Sequence, residues 1–190
     1  LITNIGPDHL EFLGSMEGSA QAKAELLDML PADGMAILNA DDTYFDYLAA
    51  RAQCRVMSFG LSEMADVRAS GIMSDARQGT TFRLHLPGKS RPTIVRIKVH
   101  GTHNVINALA AAAVGVSLNL SGSMIAQGLG RFRPAAMRSQ VVTHHGVHII
   151  NDCYNANPAS MKAAVQLLAQ SGSGRKTIAV LGDMLELGSG

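Results

Sequence analysis

Along this 190-residue chain, apolar positions first alternate between short runs and helical stripes. Residues 1–5 are strand-like and stop at Gly6-Pro7. From 15 to 30 the apolar positions recur at helical spacing, and Pro31 and Gly34 end the stretch. Residues 35–39 predict a short apolar strand, 43–52 a helix with Thr43 at its N-cap, and 55–59 another strand. This β/α rhythm predicts a mostly parallel sheet. Next, residues 67–73, 80–86 and 93–99 read as three strands. The turn-forming pieces Asp75-Ala76-Arg77-Gln78-Gly79 and Pro87-Gly88-Lys89 separate them, so an antiparallel insert on the α/β body is expected. Gly101 closes the insert. Residues 104–116 predict an Ala-rich helix and 123–128 a shorter one, before the breaker-rich Gly130-Arg131-Phe132-Arg133-Pro134.

A second unit follows. Residues 141–143 and 147–151 predict a hairpin with Gly146 in its turn. Asn157 as N-cap and Pro158 at the first helical position start a helix running to about Gln170. Residues 171–174 form a loop and 177–181 a strand. This order is that of an opening Rossmann-like domain. The expected division is 1–136 for an incomplete central sheet and 137–190 for the beginning of the second domain.

Composition narrows the function. Hydrophobic residues make up 47% and aromatics 4%, with no Trp, so Ala, Leu, Val, Ile and the 10 Met must fill the core. A net charge of +1 builds no polyanion-binding field, and no nucleic-acid partner is expected. The most apolar stretch, 105–118, falls short of the ~20 residues of a membrane span. Cys54 and Cys153 make no disulfide framework, which suits a cytoplasmic protein.

Four places carry candidate chemistry. Lys23 lies among Met16, Ala20, Leu26, Leu27 and Leu30 at helical spacings. Either its stem packs while the ammonium reaches the surface, or it is a desolvated lysine with a reactive neutral amine. His9, with Asp8 and Glu11, follows a strand end, where ligands bind in α/β sheets. These side chains are either ligands to a divalent ion or hydrogen-bonded surface residues. Asn104 and Asn107 share one face at the start of the Ala-rich helix. They can meet a purine edge, or Asn104 can serve with Thr102 in capping. Asp152 stands at another strand end, positioned either for a ribose hydroxyl or for an Asx turn. Gly88-Lys89-Ser90 imitates the end of a phosphate loop but lies between two strands. His144, His145 and His148 read as exposed hairpin residues.

The stretches TNIGPDHLE (3–11), QAKAELL (21–27), GTHNVINALAAAA (101–113), RFRPAAMR (131–138), NDCYNANPASMKAA (151–164) and VLGDMLELG (180–188) occur in this order. Together they resemble the Mur ligases over essentially the whole chain. The resemblance implies an ATP-dependent amide ligase of peptidoglycan precursor synthesis. It would join D-alanyl-D-alanine to UDP-N-acetylmuramoyl-tripeptide through an acyl phosphate, using ATP and Mg2+, as a cytoplasmic monomer. His9 matches a magnesium-holding histidine, and Lys23 a lysine that becomes N-carboxylated and supports the metal. Asn104 and Asn107 match positions around adenine. Arg138 matches an arginine that reaches the nucleotide, Asp152 the ribose-binding aspartate, and Tyr154 a residue beside the base. A sibling Mur ligase, a folylpolyglutamate synthase-type ligase, or a non-catalytic nucleotide-binding module of this fold remain alternatives. Cys153 stands where serine is usual, Thr102 where arginine is frequent, and Met137 where glycine is expected. The family's Gly-rich phosphate loop would precede Leu1, so the 190 residues alone are expected to be inactive.

Overall fold

The computed structural model describes residues 1–7, 10–75, 78–172 and 174–184, and the β/α alternation is present in the expected order. A one-turn helix α1 (Leu10–Leu13) leads into α2 (Met16–Asp28). Ser15 caps α2, its hydroxyl accepting from Gly18 N at 3.1 Å. That satisfies one of the unpaired amides of a helix start. β1 (Met35–Asn39), α3 (Phe45–Arg51) and β2 (Arg55–Gly60) follow. Thr43 is not the cap of α3: Tyr44 holds that position without a side-chain bond. The nearby Asp42 carboxylate already takes the Tyr44 amide at 2.8 Å.

β3 (Val67–Asp75), β4 (Gly79–His85) and β5 (Thr93–Ile97) extend the same sheet, whose strand order is β1-β2-β3-β4-β5. The antiparallel part is therefore a continuation of the sheet. β1 and β2 pair in parallel over five residues each, whereas β2 and β3 share only Phe59↔Val67 and Gly60↔Arg68. Parallel neighbours usually need a long crossover. Here residues 61–66 suffice because only the strand ends overlap. Two carboxylates pin that connection: Asp41 accepts from Ser62 N at 3.0 Å, and Asp66 accepts from Ser58 N and Oγ at 2.8 Å. The turn at Gly88, with φ +68°, confirms a hairpin at the phosphate-loop mimic. The strand expected at 1–5 is reduced to one parallel bridge, Ile2↔Leu38.

Alternation along β1 builds two cores. Ile37 faces a cluster with Met57, Phe59, Phe82, Leu84, Val95 and the buried face of α4 (Thr102–Ser117). Ala36 and Leu38 face Ile2, Ile5, Ala24, Leu27 and Leu48, beneath α2 and α3. Among the described residues β1 is thus covered on both sides, while β3 to β5 are covered on one. Ala108, Ala112, Ala113 and Gly115 let α4 approach the sheet closely. A Cβ on Gly115 would sit 2.8 Å from Ile125 Cγ1 on α5 (Gly122–Arg131), so only glycine fits there.

β6 (Gln140–His144) and β7 (Val147–Asn151) form a separate two-stranded hairpin. His145 and Gly146, at φ +47° and +80°, supply the two left-handed residues of its turn. α6 (Pro158–Ser171) begins with a reciprocal capping box between Asn157 and Ser160 and has Pro158 in its first turn. The strand expected at 177–181 is absent. Ile178, Val180 and Leu181 are exposed, and among the described residues no strand pairs with them. An apolar run becomes a strand only beside a partner for its amides and carbonyls.

Candidate functional site

Residues 3–6, the segment leading to Asp8 and His9, make almost no ladder of their own. Side chains hold them instead. Asn39 Nδ2 donates to Thr3 O at 3.0 Å, and Lys23 Nζ to Asn4 O at 3.4 Å. The Asp42 carboxylate accepts from Ile5 N at 2.6 Å, and Ser19 Oγ donates to Gly6 O at 3.3 Å. Four consecutive residues are thus fixed by groups from β1, α2 and the turn after β1. Lys23 is half-buried on α2, beside a buried stripe formed by Ser19, Ala20, Ala24 and Leu27; Leu26 faces solvent. The apolar stripe inferred around Lys23 is therefore narrower than its spacing indicated. His9 and Asp8 lie outside the described residues. Among the described residues no group of three or more His, Cys, Asp or Glu side chains is placed to hold a metal ion.

The N-terminal end of α4 borders a cavity of about 400 Å³ between α4, α5 and β5. Its wall is apolar, with Ile97, Val99, Ala111, Ile125 and Leu129 among its residues, and Asn104 and Asn107 contribute the only polar side chains among the described residues that line it. Asn104 Nδ2 donates to His100 O at 2.7 Å and lies 3.0 Å from His103 Nε2. Its carbonyl oxygen is left as an acceptor. Gly101, not Thr102 or Asn104, is the N-cap of α4. An apolar slot with carboxamides at one end fits a flat heteroaromatic ring.

Beyond Pro134 the chain turns sharply and ties itself to the end of β7. Asp152 Oδ1 accepts from Ser139 N at 2.6 Å and from Ser139 Oγ at 3.4 Å. Tyr154 N donates to Met137 O at 3.2 Å, and the Arg138 guanidinium lies 4.2 Å from the centre of the Tyr154 ring. Arg138, Asp152 and Tyr154 therefore form one local unit. Asp152 lines a second, wider depression of about 910 Å³ shared with Pro7, β7 and α6. The two asparagines and Asp152 do not share a single cavity. His103 connects them: burial pushes its pKa down, and the Asp152 charge pulls it partly back up. Asp152 is thus within electrostatic reach of the start of α4.

With this geometry in place, comparison with known proteins is decisive. A model of the Mur ligase middle domain matches residues 1–115, and a model of the Mur ligase glutamate ligase domain matches 137–190. The chain belongs to the Mur ligase family. It is 39% identical over 190 residues to the UDP-N-acetylmuramoyl-tripeptide–D-alanyl-D-alanine ligase of Bacillus subtilis, covering 99% of this chain and 40% of that enzyme. Over 170 residues it is 41% identical to the UDP-N-acetylmuramate–L-alanine ligase of Stenotrophomonas maltophilia, covering 86% of this chain and 35% of that protein. A crystal structure of MurF from Acinetobacter baumannii superposes with a TM-score of 0.88 at 34% identity, covering 99% of this chain and 40% of that one. The chain therefore spans about two fifths of the length of these relatives.

One backbone oddity stands beside the unit of Arg138, Asp152 and Tyr154: the φ of Met137 is +60°. A left-handed conformation carries no penalty for glycine and costs a side chain about 1 kcal/mol or more. Several site features escaped the sequence reading. Asn39, Asp42 and Ser19 act on backbone groups far along the chain, and the Asp152 carboxylate takes the Ser139 amide, which no periodicity reports. His103 was legible only as a residue opening a helix.

Proposed function

We propose that the protein from which this chain comes is an ATP-dependent carboxylate–amine ligase of peptidoglycan precursor synthesis. It joins D-alanyl-D-alanine to UDP-N-acetylmuramoyl-tripeptide. The observation that carries this reading is the 39% identity, along 99% of the chain, to a ligase of that name. When bound, ATP supplies a phosphoryl group that converts a poor leaving oxygen on the substrate carboxylate into a good one. In this reading residues 1–136 belong to the ATP-binding domain and 137–190 open the ligand-binding domain. The protein works as a cytoplasmic monomer. No helix among the described residues is long and apolar enough to cross a membrane.

Each site residue then has a task. Asn104 and Asn107 meet the adenine edge at the polar end of the apolar cavity. Asp152, with Oδ1 held by Ser139, offers Oδ2 to a ribose hydroxyl. Arg138 and Tyr154, already stacked, flank the nucleotide. His9 holds Mg2+. Lys23, as its neutral amine, adds carbon dioxide and releases a proton, becoming a carbamate that supports the same ion. Supporting this role, Lys23 already reaches the segment that leads to His9.

The test uses the full-length protein with magnesium-ATP. Phosphate release and product mass are followed with UDP-muramoyl tripeptide plus D-alanyl-D-alanine, and separately with UDP-N-acetylmuramate plus L-alanine. Ligation of the first pair is expected. Turnover of the second pair alone would favour the reading raised by the 41% identical relative, which covers less of the chain. Lys23→Ala should nearly abolish turnover, with partial rescue by a short carboxylate; full activity without additive would refute the carbamate.

A further inference from the structure

The near-neutral total charge conceals a strong segregation. From Val67 to Asn151 the chain holds ten Lys and Arg residues against one acid, Asp75. That stretch is formally +9, and the remainder of the chain is −8. Folding concentrates much of this charge. On β3 to β5, Val67, Ala69, Phe82, Leu84, Val95 and Ile97 point inward under α4 and α5. Their alternates form the opposite face, which no element among the described residues covers. Register places Arg68 opposite His85, Ser70 opposite Arg83, and Thr81 opposite Arg96, with Lys98 next along the β5 edge. Ser70 Oγ lies 2.8 Å from His85 Nε2, and burial together with the charges of Arg68 and Arg83 pushes that histidine down. No acid pairs with Arg68, Arg83, Arg96 or Lys98 among the described residues.

We propose that this sheet face is a docking surface for an anionic phospholipid bilayer. Three features select a bilayer over other polyanions. Three strands make a patch about 10 Å across, and neither cavity described above is lined by its outward side chains, so it offers a surface and not a groove. Two apolar side chains on it, Met73 and Ile94, are 67% and 62% exposed and can enter the headgroup layer. Among the described residues it presents no outward Phe, Tyr or Trp ring on which a nucleobase could stack, since Phe82 is buried and the His85 ring is tied to Ser70. Basic residues near a negative membrane surface each strengthen binding by about fivefold, and salt weakens the attraction.

Flotation of the full-length protein with vesicles is the test. One set is phosphatidylcholine alone, and the other contains phosphatidylglycerol in addition. The protein should float with the anionic vesicles at low salt, stay behind with neutral ones, and dissociate as salt is raised. Charge reversal of Arg83, Arg96 and Lys98 to Glu should lower binding more than a hundredfold, with the circular dichroism spectrum and ligase turnover unchanged. Single Arg96→Gln provides a milder variant should the triple variant misfold, with a several-fold loss expected. Equal binding to neutral vesicles, no binding to anionic ones at low salt, or retained binding by both variants would overturn the assignment. So would displacement from vesicles by a small excess of duplex or single-stranded nucleic acid, which would make the face a nucleic-acid surface.

Discussion

Asp42 offers the sharpest test of how the segment before His9 is held. Its carboxylate accepts from two amides, Ile5 N at 2.6 Å and Tyr44 N at 2.8 Å. Hydrogen bonds to a charged acceptor contribute about 1.5–3 kcal/mol each. The two amides differ in what replaces the lost partner. Ile5 is 8% exposed, so its amide would be left in a nearly dry setting, whereas Tyr44 opens a surface helix where water substitutes. Asp42→Ala should therefore destabilise the chain by about 2–4 kcal/mol. Asp42→Asn keeps one acceptor oxygen and should cost about half of that. Urea unfolding of the 190-residue chain, followed by circular dichroism because it contains no Trp, measures both. The urea slope should be unchanged, since neither substitution alters the surface exposed on unfolding. A loss below about 0.5 kcal/mol for Asp42→Ala would place it among ordinary surface changes. That result would refute the idea that this carboxylate clamps residues 3–6.

Three further outcomes are expected. Met137→Gly should stabilise the chain by about 1 kcal/mol, because the φ of +60° no longer opposes a side chain; a destabilisation in the same urea assay would show that Met137 packs more than it strains. The His103 pKa lies below its unfolded value, so stability should decline as pH falls below about 6.5. In that range the unfolded chain takes a proton that the folded ring resists; Asp152→Asn should move the ring's NMR titration further down, and an unmoved midpoint would disconnect the two groups. The isolated chain should bind magnesium-ATP more weakly than micromolar in calorimetry. Its sequence holds no Gly-rich phosphate loop, and a few adenosine contacts at about 0.5–1.5 kcal/mol each do not offset immobilisation of the ligand.

What the sequence revealed, and what it hid, follows from the range of the interactions concerned. β1 was placed at its observed bounds because the apolar run Met35-Ala36-Ile37-Leu38, between Gly34 and Asn39-Ala40, signals a buried strand locally. The N-cap of α6 was equally local, with Asn157 and Pro158 adjacent in the chain, whereas the reciprocal bond from Ser160 went unread. Thr43 failed as a cap because the Asp42 carboxylate, one residue earlier, reached the amide first. Residues 177–181 failed as a strand because apolar content cannot reveal whether a neighbouring edge exists. The clamp on residues 3–6 stayed invisible for a related reason. Asn39 and Asp42 act across 36 and 37 positions, and turn residues in a sequence do not announce which distant amide they will take. Charge summed over the chain hid its distribution, since +1 is the sum of +9 over residues 67–151 and −8 in the remainder.

The two-pair junction between β2 and β3 has a consequence for cooperativity. A parallel ladder and an antiparallel ladder meet at Phe59↔Val67 and Gly60↔Arg68 alone, so the sheet has a seam with few main-chain bonds. What joins the halves is α4, which packs over β1, β2 and β3 together. The helix works as a splint: while it is docked, the two ladders report a single transition, and when it lifts, each can open on its own. The same helix presents Asn104 and Asn107 at its N-terminal end. A ligand gripping those carboxamides would therefore hold the splint down, coupling occupancy of the cavity to the unity of the sheet.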